Sequence, residues 1–257
     1  LGNTNKSALN HFSDLKDLDK VDAYFLSRLN HLSEEIQKYY SSYQFHQVYQ
    51  KLLLFCTVDL SQDYFEIIRD RMYCENRSSK VRKSSEFALA QILQTLALLI
   101  APILSFTAEE VWKEFGHSDS VFFHDFPNLN SYKNSELENE LSIIFETKES
   151  VQKALEEARQ KGKIGKSLEA KLHLTSIQPD NKQLLQFSKE DLALFFVVSQ
   201  VDFSELSREN ELSVVTTEKF KIQVVKPIEP ECPRCWRHTI EIKNEGDLCN
   251  RCQGAIA

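Results

Sequence analysis

The sequence predicts a mainly α-helical chain: an antiparallel helical bundle, then a small α/β unit, then a C-terminal module built on four cysteines. Three observations predict it. Apolar residues recur at three- and four-residue steps through most of residues 1–117. After about residue 170, short apolar and β-branched runs between polar turns replace that rhythm. At the end, Cys232-Pro-Arg-Cys235 and Cys249-Asn-Arg-Cys252 place two Cys-x-x-Cys knuckles thirteen residues apart. The expected division is therefore 1–117, 118–226 and 227–257.

The bundle elements follow in order. Leu15, Leu18, Val21, Phe25, Leu29, Leu32 and Ile36 predict an amphipathic helix over 14–41. Val48, Leu52, Phe55, Leu60, Tyr64, Ile67 and Ile68 predict a second over about 45–73, kinked or divided at Asp59-Leu60-Ser61. The third, about 80–104, is apolar nearly all round, as a central bundle helix should be, and Pro102 disturbs its last turns. Thr107 and Glu110 read as a capping box for a fourth helix, with Phe106 and Val111 spaced as a hydrophobic staple. Short connections between such helices favour antiparallel neighbours.

From Val121 to Asn139 the composition turns polar and reads as a linker. Leu141, Ile144, Val151 and Leu155 predict a helix over about 139–161. Strands are expected at 170–174, 195–199 (which could equally be helical), 212–216 and 220–225, with a short helix near 182–187. Pro227 and Pro230 introduce the knuckles.

Composition bounds the function classes. Hydrophobic residues are 42% and charged residues 27% of 257, a globular balance sufficient for two or three units. Six glycines argue against a glycine-rich nucleotide fold. A net charge of −7 excludes a generally basic nucleic-acid protein while allowing a local basic face. The longest apolar run, Phe87 to Phe106, is interrupted by Gln91, Gln94, Thr95 and Ser105, so no membrane span is expected. With no leader-like apolar stretch at the start, a cytoplasmic protein is expected. The missing initiator Met points to a fragment.

Four thiolates in two knuckles suit one tetrahedral Zn²⁺, with Cys232, Cys235, Cys249 and Cys252 as ligands. Two disulfides or four plain buried cysteines are the alternatives, which a cytosolic setting disfavours. Cys56 reads as core and Cys74 as an exposed helix end. His46 and His124 read as structural. Gly162-Lys-Ile-Gly-Lys-Ser167 lacks P-loop spacing and follows a helix, so it reads as a helix cap and turn.

A basic cluster, Arg69, Arg71, Arg77, Lys80, Arg82 and Lys83, has only Asp70 and Glu75 interspersed. Two readings stand: a solvated helix end, or a patch that contacts phosphates. Two also stand for Trp236, beside Arg234 and Arg237: it covers the zinc sulfurs, or it stacks on an unpaired base. No catalytic motif is visible.

Several stretches converge on one family. Ser27-Arg28-Leu29-Asn30, Tyr43-Gln-Phe45 and Phe55-Cys-Thr-Val-Asp59-Leu-Ser61 resemble the opening helices of the class I synthetase anticodon-binding bundle. Leu99-Ile-Ala-Pro-Ile-Leu-Ser-Phe-Thr-Ala-Glu-Glu-Val-Trp112 resembles a signature of the isoleucyl, valyl, leucyl and methionyl enzymes. Ala154 to Arg159, Ile164 to Ala170 and the Cys-x-Arg-Cys-Trp module are more particular to bacterial-type isoleucyl-tRNA synthetases. The resemblance covers about 14–257.

The resemblance implies the C-terminal part of an isoleucine–tRNA ligase. The full enzyme joins isoleucine to tRNA(Ile) using ATP, in catalytic and editing domains whose motifs this chain lacks. The implied role here is to grip the anticodon stem-loop, as a monomer joined to the rest of the synthetase chain. Arg234, Trp236 and Arg251 are carried over as RNA contacts. Arg237 and the cluster Arg71, Arg77, Lys80, Arg82 and Lys83 are added from charge alone. The alternatives are a free-standing zinc-containing nucleic-acid-binding module and a structural domain in which zinc only fixes the fold.

Overall fold

The structure, a computed structural model, describes residues 4, 6–12, 15–177, 184–204, 211–244 and 246–256. It is mainly helical, with one small mixed sheet and a terminal four-cysteine cluster. The chain divides into two compact units, 1–138 and 139–257.

In the first unit, α1 (Lys20–Ser41) starts later than its apolar rhythm predicts. Asp19 caps it by accepting from the Val21 N–H at 3.0 Å, and Leu15–Asp17 form a separate single turn. Val21, Phe25, Leu29, Leu32 and Ile36 are buried, one stripe along the helix. The helix packs on α2 (Phe45–Leu54) and on α4 (Lys80–Ile100). Ser79 caps α4, which buries residues on most of its circumference, from Phe87 to Leu99. It stops at Ile100, four residues short of the expected end, because Pro102 has no N–H and its ring collides with the carbonyl one turn back.

Between α2 and α3 (Phe65–Cys74) the chain stays helical but changes its winding. Residues Phe55–Tyr64 run as a π-helix. In that winding the buried Phe55 and Leu60 lie five residues apart on the inner side. The winding also corrects the two cysteine expectations. Cys56, expected in the core from the apolar run around it, is exposed. Cys74, expected at an exposed end, is buried, three and seven residues beyond Arg71 and Ile67 on the inner face of α3.

The capping box at the fourth helix does not form. α5 (Ser105–Glu114) begins before Thr107, with Leu104 at its cap position and no side-chain cap bond. Phe106 is 93% exposed, so it staples nothing. The turn around Pro102 brings the Leu104 carbonyl to the Ala108 N–H at 2.9 Å, and helix starts there. Gly116, at φ +109°, closes α5. Beyond it Trp112 is buried, stacked on His117 and tilted against His124, which pairs with Asp119 at 2.9 Å. His46 is exposed.

One polar network is buried in this unit. Tyr64 Oη donates to Asp22 Oδ1 at 2.7 Å, Ser85 Oγ donates to both Asp22 oxygens, and Arg71 lies 3.5 Å from Oδ2. Burial, partly opposed by Arg71, pushes the Asp22 carboxyl up to about 6.

The helix α6 (Ser135–Gln160) spans the boundary between the units. It ends as expected at Gly162. The glycine sits at φ +66° and its N–H reaches the Arg159 carbonyl, while the Lys163 N–H reaches that of Ala158, a Schellman closure. The sheet of the second unit has the order β2-β1-β4-β3. Strand β1 (Lys171–Ser176) pairs in parallel with β2 (Gln200–Asp202) and antiparallel with β4 (Phe220–Val225), and β3 (Ser213–Thr216) closes the other edge.

The run at 195–199, open between strand and helix in the sequence, is the end of α7 (Lys189–Phe195) and a turn through Val197 at φ +56°. The strand begins only at Gln200. Near 182–187 the described part is one turn, Leu184–Gln186; positions 182 and 183 lie outside the described residues. Leu172, Leu174, Ile222 and Val224 are buried on one face of the sheet, and His173 and Gln223 on the other.

Candidate metal centre and nucleic-acid interface

The knuckles close on local hydrogen bonds. The Trp236 N–H donates to the Cys232 carbonyl at 2.8 Å and the Cys232 N–H to the Arg237 carbonyl at 2.9 Å. The Gln253 N–H donates to the Cys249 carbonyl at 2.9 Å, in the first turn of α8 (Asn250–Ile256). Among the described residues an isolated antiparallel bridge, Glu231 with His238, flanks the first knuckle. The module is anchored on its own unit by the His238 N–H donating to Ser199 Oγ and by Gln200 Nε2 donating to the His238 carbonyl.

Cys232, Cys235, Cys249 and Cys252 are all buried, and their sulfurs lie within 4.8 Å of one another. Cys235 Sγ and Cys249 Sγ are 3.8 Å apart. A tetrahedral Zn²⁺ with bonds of about 2.3 Å sets its sulfurs about 3.8 Å apart, so the cluster fits the ion. Burial raises the thiols of Cys235, Cys249 and Cys252 above their ordinary range. At Cys232 the burial effect is outweighed by N–H donors from Cys249, Cys235 and Arg234, which bring it down to about 6. A divalent cation at the centre favours all four as thiolates. Four protein ligands leave no open coordination position, so the ion is structural.

Around this centre Arg234 reaches the Cys252 sulfur, and the positive charge of Arg251 acts on Cys235. Both side chains, like Arg237, are partly exposed. Trp236 is 48% exposed at φ +62°, and Lys166 Nζ lies 4.2 Å from the centre of its ring. The indole therefore does not seal the sulfurs as a packed lid would. The lysine was missed in the sequence, although the run Lys161, Lys163, Lys166 was visible there.

The basic cluster divides. Arg71 is a correction: its side chain is only 7% exposed, paired with Asp19 at 2.8 Å and with Asp22, so its charge is spent inside the bundle. Arg82 pairs with Glu86 at 3.0 Å and donates to the Glu75 carbonyl. Lys80 pairs with Asp17 at 2.8 Å but stays exposed. Arg77 is exposed, Lys83 is partly so, and Arg69 is exposed midway along α3.

Residues 22–174 match the model of the anticodon-binding domain of tRNA ligases. The chain belongs to that family. Its cysteine module, residues 230–254, matches the zinc finger found in FPG and IleRS, and the four cysteines of this family member hold a single zinc ion. Relatives named isoleucine–tRNA ligase are similar along almost the whole chain. That of Brachyspira hyodysenteriae is 36% identical over 253 residues, 95% of this chain and 27% of the relative. That of Natranaerobius thermophilus is 32% identical over 248 residues, 93% of this chain and 27% of the relative. That of Legionella pneumophila is 33% identical over 255 residues, again 95% and 27%. The chain thus spans about a quarter of the length of the curated relatives it matches. No helix among the described residues is long and apolar enough to cross a membrane.

Proposed function

We propose that this chain is the C-terminal, tRNA-binding part of an isoleucine–tRNA ligase, and that it grips the anticodon stem-loop of tRNA(Ile). The observation that carries the reading is the order of parts. An anticodon-domain bundle is followed, in one chain, by a four-cysteine zinc module of the kind matched in IleRS. The whole enzyme would use ATP in a catalytic domain elsewhere in its chain, work in the cytoplasm and act as a monomer.

Within this piece the working parts are the bundle of 1–117, the junction of 118–226 and the zinc module of 227–257. Bundle contacts would come from Arg77 and Lys83, with Lys80 and Arg82 recruited only by giving up Asp17 and Glu86. Around the zinc, Trp236 offers an exposed aromatic ring, and Arg234, Arg237 and Arg251 supply charge beside it. Aromatic faces beside guanidinium groups accept unpaired bases, which an anticodon loop presents.

The test is binding of the zinc-loaded chain to tRNA(Ile) and tRNA(Met) transcripts at two salt concentrations. Preference for tRNA(Ile) is expected. Equal, salt-sensitive binding would reduce the role to a backbone grip, and binding to neither would sink the proposal.

A further inference from the structure

Both knuckles carry an arginine at the same place, the residue before the second cysteine: Arg234 before Cys235 and Arg251 before Cys252. Each acts across the centre on the other knuckle. The Arg234 guanidinium hydrogen-bonds to the Cys252 sulfur, and the charge of Arg251 bears on Cys235. The relation is reciprocal: the second cysteine of each knuckle meets the arginine of the opposite one.

The other donors to sulfur show what the arginines add. Cys232 Sγ accepts from the Cys249 N–H at 3.5 Å, and from the N–H groups of Cys235 and Arg234. Cys235 accepts from the Arg237 N–H, and Cys249 from the Cys252 N–H. At Cys252 the donor is a side chain, the Arg234 guanidinium. All four cysteines are buried, with their sulfurs crowded within 4.8 Å of one another. Cysteines that hold zinc are thiolates, and four thiolates around one Zn²⁺ leave two surplus negative charges. Buried charge is costly unless it is paired and hydrogen-bonded. Two guanidinium groups match that surplus one for one.

We infer that Arg234 and Arg251 are positioning residues of the zinc centre, each acting on a thiolate of the opposite knuckle, and that together they set how tightly the ion is kept. Arginine suits the task because it has five N–H donors in a fixed fork and never loses its charge. One edge can bind sulfur while another faces outward, and both side chains are partly exposed. This role follows from the four-cysteine site and is independent of tRNA binding.

The experiment measures the zinc affinity of the full chain by competition with a chromophoric chelator, for the parent, Arg234→Gln/Arg251→Gln and Lys243→Gln. Removing the groups that stand behind metal ligands weakens binding by about 10–100-fold, and a loss of that size is expected in the double variant. Lys243 is exposed in the loop between the knuckles and serves as the control for net charge. Its variant should keep the parent affinity. Co²⁺ loaded in place of zinc separates the proposed role from a loss of fold. The double variant should keep the intense visible absorption of a tetrahedral thiolate site. Its sulfur-to-cobalt charge-transfer band should move to longer wavelength, because a sulfur lone pair that has lost its guanidinium lies higher in energy. Unchanged affinity or an unmoved band in the double variant would overturn the proposal. An equal loss in Lys243→Gln would overturn it too, by reducing the effect to net charge. So would loss of the tetrahedral absorption in the double variant, which would make the arginines part of the fold and not of the charge balance at the metal.

Discussion

The bundle and the zinc module reach a fixed structure by opposite routes. The bundle hides large side chains such as Phe25, Tyr64, Ile92, Leu99 and Trp112 almost completely. Its buried charges, Asp22 and Arg71, sit inside that apolar surround and answer each other. The module has little to hide. Among its described residues, beyond the four cysteines, Ile242 and Pro227 are buried, while Ile228 and Ile240 are 96% and 82% exposed. A segment of this size lacks the apolar area to repay its chain entropy, and a metal must supply the difference. So the two regions should fail independently and for different chemical reasons.

The sharpest way to separate them is Cys249→Ser. Zinc binding to such sites contributes roughly 10–16 kcal/mol to folding, so the variant should lose its metal and residues 227–257 should become protease-sensitive while the bundle keeps its helical circular dichroism. Full zinc occupancy in the variant would refute the ligand assignment. The reverse experiment is Arg71→Ala, which strands Asp22 in the core. A loss of about 3–5 kcal/mol in urea unfolding is expected, with zinc content unchanged. A change below 1 kcal/mol would mean the network does little for the bundle.

Acidity distinguishes the regions next. The folded Asp22 carboxyl is raised to about 6, well above its ordinary value, so the native bundle binds this proton more tightly than the unfolded chain does. The stability owed to this group is complete below about pH 4 and is lost as pH rises through about 6. The stability of the parent relative to Asp22→Asn should therefore fall by up to about 3 kcal/mol between those limits. A pH-independent difference would contradict this. The smallest effect is expected at Val197→Gly in the second unit. A β-branched residue at φ +56° is strained by about 1–2 kcal/mol, part of which glycine returns in chain entropy. A gain of about 0.5–1 kcal/mol should appear, without effect on the bundle.

What the sequence revealed was local. The zinc ligands were legible because two-residue gaps alone bring paired sulfurs to one ion. The strand 220–225 was legible because alternation and flanking turns marked it completely. Arg71 was misread because a linear charge count shows Asp70 beside it but not Asp19 and Asp22, some fifty residues earlier, which lie against it in the fold. Cys56 sits in an apolar run that reads as core, but the segment winds as a π-helix and the thiol is exposed. Thr107 had the right chemistry for a cap, but the chain entered the helix three residues sooner, at the Leu104 carbonyl. Arg234 and Arg251 were legible as charge beside the knuckles, but only the closed centre sets each against a cysteine of the other knuckle.

The wider winding of Phe55–Tyr64 has a consequence for how this segment can change. A π-helical stretch is what remains when a helix absorbs an added residue without moving its ends. Both flanks, α2 and α3, are held against the other bundle helices. Sequences in which this segment is shorter can therefore relax to ordinary winding while leaving Val48 before it and Ile67 after it seated in the core. It makes this stretch an elastic length gauge, where drift in residue number is absorbed before it reaches the rest of the bundle.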